Sequence, residues 1–246
     1  MAETTKTSFW ARLLFYLALA NLAVILVSIG GRLLLGWQPL AAFHTMFYGA
    51  FIGMGLAAIA ILLLLTALFK RAWPLTHTAS LTLLLGLCPI GGSLLIIGPS
   101  GFSSPKIHDI STDRDNPPAF SAAIALRKPE ENSLDYGGEA IAAQQHAAFP
   151  DIKPLFSVLN PDQAFKQALS TASALGWTLI EGDSSAGRIE AFDQSRLFGF
   201  IDDVVIRITP LGEGSRIDVR SVSRVGVSDL GANARRIRLF FANFGE

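Results

Sequence analysis

The stretch Asp218–Gly231, DVRSVSRVGVSDLG, places three serines, two arginines and two aspartates within fourteen residues. Serines in such company raise nucleophilic catalysis, which needs a base within hydrogen-bond reach and a third group to orient that base. The four histidines are His44, His77, His108 and His146, all upstream of this stretch and of the folded domain that contains it. A second set of chemically capable groups is His108, Asp109 and Asp113, to be set against the adjacent carboxylates Asp202 and Asp203. Neighbours on a strand point to opposite faces, so Asp202 and Asp203 cannot form a shared-proton pair. Asp109, Asp113, Asp115 and Asn116 also offer the several oxygens that calcium favours, although their spacing is not that of an EF-hand loop. Neither a metal nor a cofactor is expected.

What these residues can do depends on the elements that hold them. Asn160-Pro161-Asp162-Gln163 has the signature of a helix start: Asn as cap, Pro in the first turn, Gln163 closing a capping box. Ala164, Phe165, Ala168, Leu169, Ala172 and Leu175 follow at helical spacing, and Gly176 stops the run. Four strands are predicted next: Trp177–Glu181, Arg188–Phe192, Asp203–Thr209 and Arg216–Arg224, with hairpin chemistry in DSSAG and PLGEG. Alternation gives one apolar face (Ile189, Ala191, Val204, Ile206, Ile208, Ile217, Val219) and one polar face (Arg188, Glu190, Arg207, Arg216, Asp218, Arg220). A last helix is expected after Ser228, with Leu230, Ala234, Ile237 and Phe241 as its buried stripe. Ser221 and Ser223 then share the buried parity of Val219, where small side chains let a helix approach. The expected fold is α+β, a two-layer sandwich of a four-stranded antiparallel sheet with two helices on one face. Asp218–Gly231 reads as its strand-to-helix joint.

The rest of the chain is different in kind. Half of the 246 residues are hydrophobic and 16% are charged, and the charges are segregated. Residues 1–100 carry Lys6, Arg12, Arg32, Lys70 and Arg71 against Glu3, a net of +4; residues 101–246 carry fifteen basic groups against nineteen carboxylates, a net of −4. No basic tract points to nucleic acid. Three uncharged runs have the length of membrane helices, at about 20 residues per crossing. They lie between Arg12 and Arg32, from about Met46 to Leu68, and from Thr78 to Gly98. Lys6, Arg12, Lys70 and Arg71 fall on one side of a three-span protein and Arg32 alone on the other. The expectation is an N-terminus in the cytoplasm and everything after Gly98 outside it, the periplasm in a Gram-negative cell. No ionisable residue lies deep in a span, which argues against an ion or proton path. Gly49, Gly53 and Ala57 form a small-residue stripe, suited either to packing among the chain's own helices or to a homodimer seam. The sequence therefore divides into an anchor (1–100), an irregular linker or strap (101–159) and an extracytoplasmic domain (160–246). Oligomeric state is left open.

The segments GRIEAFDQSRLFGFIDDVVIRI, GSRIDVRSVSRVGVSDLGANARRIR and PKIHDISTDRDNPPAF together resemble the domain of unknown function 1499 family, over about Pro105 to Phe240. The resemblance implies a bacterial or photosynthetic lineage, frequent membrane segments or export signals, and no established activity. Other members carry a Cys- and Asn-containing motif where this chain has His108–Asn116, so no role is transferred to that segment. The name adds no catalytic residue.

Two functions are compatible with these features. One is a binding or assembly module of the cell envelope, with Arg188, Arg207, Arg216, Arg220 and Asp218 receiving an envelope protein or an anionic lipid headgroup. Cross-strand pairing with Glu190 and Asp218 is the structural alternative for the same arginines. The other is an envelope hydrolase or lipid-handling protein using His108, Asp109 and Asp113 against Asp202 and Asp203.

Overall fold

The computed structural model describes residues 8–245; Glu3 and Lys6, counted in the charge bias, lie outside the described residues. The chain forms two compact units, Met1–Pro99 and Ser100–Glu246.

The first unit is three helices, α1 (Phe9–Leu35), α2 (Pro39–Phe69) and α3 (Trp73–Ile97). They have 27, 31 and 25 residues and are long and apolar enough to cross a membrane. At about 1.5 Å per residue, each exceeds the about 30 Å of a hydrocarbon core. Pro89 lies inside α3, which continues unbroken to Ile97. The small-residue stripe is used within the chain. A Cβ on Gly53 would collide with the Gly86 carbonyl, and one on Gly86 would come within 2.7 Å of the Gly53 carbonyl. Gly49 faces Ile25, and its carbonyl accepts the Asn21 side-chain amide at 2.9 Å. Backbones approach this closely because little else drives helices together in lipid.

A short helix α4 (Pro99–Phe102) spans the boundary, and the second unit continues with β1 (Asp109–Ser111), a 3₁₀ turn (Ala122–Leu126), α5 (Gly138–Ala148), β2 (Leu155–Ser157) and α6 (Pro161–Ala174). Strands β3 (Thr178–Asp183), β4 (Arg188–Gln194), β5 (Ile201–Leu211) and β6 (Gly214–Ser223) and helix α7 (Ala232–Phe244) complete it. The α+β class and the antiparallel sheet agree with expectation, but the sheet has six strands, not four. Its order is β1-β6-β5-β4-β3, and β2 also pairs with β6. The two extra strands lie along one edge of β6, Ile110 opposite Ser221 and Phe156 opposite Arg216. Three-residue strands are too short to show a period, so only the β6 edge defines them. Residues 101–159 are thereby built into the same compact unit as the sheet.

On one face α6 and α7 cover Ile189, Ala191, Val204, Ile206, Ile208, Ile217 and Val219, the set that alternation assigns. Trp177 stacks on Phe240 at 5.4 Å within that core. The Asn160–Gln163 capping box is present, with reciprocal bonds of 3.0 and 3.3 Å. Helix α7 begins later than expected, at Ala232, because Leu230 (φ 52°) and Gly231 (φ 76°) are both left-handed and interrupt the run from Ser228. The Asp229 carboxylate, rather than Ser228, caps it, accepting from the Gly231 and Asn233 amides at 2.8 Å each.

The second face is not open along its length. Phe120, Ala123 and Leu134, from the strap, pack on Val205 and Val222. The sandwich thus gains an irregular third layer that alternation does not reveal.

Candidate functional site

Strand β6 delivers its side chains to both layers, so the chemistry of Asp218–Gly231 divides in two. Ser221 and Ser223 face α7 and are buried. The Ser221 hydroxyl donates to Asn233 Oδ1 at 2.7 Å and accepts from Arg236 at 3.1 Å. Ser223 Oγ accepts from Asn233 Nδ2 at 3.0 Å. His108 enters this cluster only through its backbone carbonyl, which accepts from Ser223 N and Asn233 Nδ2. Neither serine has an imidazole as partner among the described contacts. Asp202 lies on the same side and binds Arg236 at 2.6 Å, together with Asp193 at 2.9 Å. Burial opposes the charge of Arg236, but Asp202 and Asp193 outweigh it and raise its pKa. Burial pushes the Asp229 carboxyl up, since removal from water disfavours the ionised form.

The other parity of β6 carries Arg216, Asp218 and Arg220, and Arg224 follows directly after the strand. Arg220 grips Asp109 through Nε at 3.0 Å and Nη2 at 2.7 Å. It also donates to the Pro118 and Leu134 carbonyls and lies between the rings of Phe120 and Tyr136, 5.3 and 5.4 Å from their centroids. At 3% exposure it is not on an open polar face, which corrects its expected position. The strap supplies the partner that local pairing rules omit. Burial, and next the charge of Asp109, push the Tyr136 phenol up to about 12.

Asp203, fully buried, receives Arg127 at 2.6 Å and Arg224 at 2.8 Å. Burial lowers the Arg127 pKa despite that partner. Asp202 and Asp203 thus point to opposite faces, as alternation requires. Glu190, also fully buried, accepts the Ser121 and Ala123 amides at 2.7 and 2.8 Å and holds the start of the 3₁₀ turn.

Toward the β5–β6 hairpin, Arg207 and Arg216 each bind Asp113 at 2.8 Å and Asp218 at 3.0 Å. Hydrogen bonding to Asp218 raises the Arg216 pKa. Arg188 reaches Glu181 at 3.2 Å and Glu190 at 3.3 Å. These three arginines keep 23–34% side-chain exposure. The other Asp113 oxygen accepts from the Asn116 backbone amide at 2.9 Å, so both oxygens have partners within the chain. Among the described residues, no three His, Cys, Asp or Glu side chains are placed to hold a metal ion.

The structure therefore brings together Arg207, Arg216, Asp113 and Asp218, with Arg188 beside them, and separately Arg220 with Asp109. His108 joins neither group. Arg127, Arg224, Arg236 and Asn233 escape sequence reasoning because their partners sit on other elements; Asp203, a sequence candidate, meets Arg127 and Arg224 rather than a catalytic group.

The family described as "Protein of unknown function (DUF1499)" matches residues 109–244, more than half of the chain. The chain belongs to the DUF1499 family. That match starts at the first residue of β1 and ends at the last of α7, so the DUF1499 region includes the strap with the sheet and omits α1–α3. No curated protein matches the chain.

Proposed function

We propose that this DUF1499 protein is an envelope module held in the cytoplasmic membrane by α1–α3, with residues 100–246 outside the cytoplasm, periplasmic in a Gram-negative cell. Its role is binding or assembly. One observation carries the preference over a hydrolase: the groups that hydrolysis would recruit serve separate partners. Asp109 holds Arg220, Asp113 holds Arg207 and Arg216, Asp202 holds Arg236, and Asp203 holds Arg127 and Arg224. A general base needs its substrate within hydrogen-bond reach, and these carboxylates point at guanidinium groups instead.

The surface we assign to a partner is the open end of the second face. Arg188, Arg207 and Arg216 lie there, bordered by exposed Phe156, Val158 and Leu211. Arg216 is opposite Phe156, and Gly214 is opposite Leu211 with Val158 alongside. An apolar rim next to arginines that keep about a quarter to a third of their side chains exposed suits an acidic envelope protein.

Reporter fusions and extraction test both halves. A reporter active only outside the cytoplasm works after Gly98 and fails after Arg71, by the bias of Arg12, Lys70 and Arg71 over Arg32. Mild detergent extraction recovers a protein that wild type retains and Val158→Asp loses. The reverse fusion pattern overturns the location, and equal recovery with both chains overturns the surface.

A further inference from the structure

Two loops meet at the end of the domain that follows the third span. Residues 102–107 begin at the end of α4, and Phe102 is five positions beyond Ile97, the last residue of α3. Residues 225–231 join β6 to α7. Ser228 Oγ donates to the Pro105 carbonyl at 3.1 Å, and the Asp229 amide donates to the Ile107 carbonyl at 3.1 Å. Between these ties and Gly226, Val227 is left 75% exposed. Its loop is not slack. The Asn132 amide holds the Gly226 carbonyl at 2.9 Å, and Gly226 takes a φ of 94° that a side chain would resist. A valine is thus presented to the outside on a fixed support, and Phe102, 44% exposed, stands three positions before Pro105, to which Ser228 is tied.

Two cations face outward here: Lys106 of the first loop and Arg235 in the first turn of α7 are both exposed. Arg235 reaches back to the Leu230 carbonyl at 3.1 Å, which fixes it beside the 228–231 loop. The loops' one carboxylate, Asp229, is turned inward to cap α7. On the neighbouring strap turn, the Glu131 side chain folds back to accept the Lys128 amide.

We propose that Val227 and Phe102, with Lys106 and Arg235, form a lipid-contact patch that enters the interface of the bilayer and takes anionic headgroups. This rests on the membrane-anchored reading of α1–α3. Two apolar side chains fall far short of the about 800 Å² per partner of a stable protein interface. They suffice for a bilayer, because a short tether makes the contact intramolecular at an effective concentration on the order of millimolar. An aromatic a few residues past a span, with cations beside it, has the chemistry of the interfacial zone.

The test uses the full chain in vesicles of phosphatidylcholine, alone or mixed with phosphatidylglycerol, containing nitroxide-labelled lipid. Bimane is attached at the native Cys88, or by Val227→Cys or Val158→Cys in a Cys88→Ser background. Val158 is the control: it is 94% exposed and lies beside Gly214, at the opposite end of β6 from Ser223. Quenching at position 227 should exceed that at 158 several-fold and rise with phosphatidylglycerol. Lys106→Gln with Arg235→Gln should remove the rise. Equal quenching at 227 and 158 overturns the patch, and indifference to phosphatidylglycerol overturns its cationic half. A label at Cys88 that stays unquenched overturns the membrane anchor itself, and the patch with it. Quenching at Cys88 with none at 227 overturns the patch alone.

Discussion

Arg220 shows what a buried cation demands. Taken singly on an alternating strand it reads as a surface residue, and an exposed pair would contribute at most about 1 kcal/mol. In the folded domain its loss leaves Asp109 buried without its partner, and breaking a buried pair costs about 3–5 kcal/mol. Arg220→Ala should therefore lower the unfolding free energy of the Ser100–Glu246 unit by that amount, read from denaturant titration, and a loss below about 1 kcal/mol would mean that the strap is not closed over the sheet. Tyr136 gives the complementary case. Its hydroxyl is buried with no partner, so Tyr136→Phe keeps the ring against Arg220 and should leave stability at neutral pH unchanged. Its phenol is raised from 10.0 to about 12, so its contribution is intact below pH 10 and is lost as pH rises through 12. Alkaline titration of unfolding should show wild type declining over that window and Tyr136→Phe declining less. Neither partner of Arg220 was legible beforehand, because Asp109 and Tyr136 belong to a segment with no helical or strand period.

At the scale of elements, legibility followed length. Helix α6 and strands β3–β6 announce themselves through capping, alternation and hairpin residues, and each stands where those signals put it, within a few residues. β1 and β2 do not, since nothing in three residues separates a strand from a loop. Their existence rests on β6 and, for β1, on Gln145 of α5. This fully buried side chain accepts the Ser111 amide at 2.9 Å and donates to the Ser111 carbonyl at 2.7 Å. It acts as one more rung of the sheet and closes an edge that would otherwise present unpaired backbone groups. Gln145→Ala strands both groups, and leaving buried polar groups unpaired costs about 1–3 kcal/mol. Faster amide exchange at Ser111 should accompany the loss; unaltered exchange would assign the protection to something else.

For the whole molecule, the division between apolar helices and polar domain is written in composition, and the internal boundary of the domain is not. Sequence places the folded part from Asn160 onward, whereas the compact unit starts at Ser100 and the DUF1499 match at Asp109. A fragment beginning at Asn160 would leave Asp203, Arg220 and Arg224 facing water along a stripped sheet, with the β6 edge open. It should be expressed as an unfolded or aggregating chain, while residues 100–246 give a cooperative melt. A cooperative melt from the shorter fragment would make the strap an accessory. The same dependence reaches back into synthesis. Arg220 and Asp109 are 111 residues apart, so the first strand to leave the ribosome waits for the last strand before it can pair. Contacts of such long range slow folding, because the loop must close before any of them contributes. During that wait the strap's carboxylates and the sheet's arginines are separately hydrated, and β6 is the step that commits them. The newborn domain therefore stays vulnerable to proteolysis and to holdase capture until its final fifth has been made.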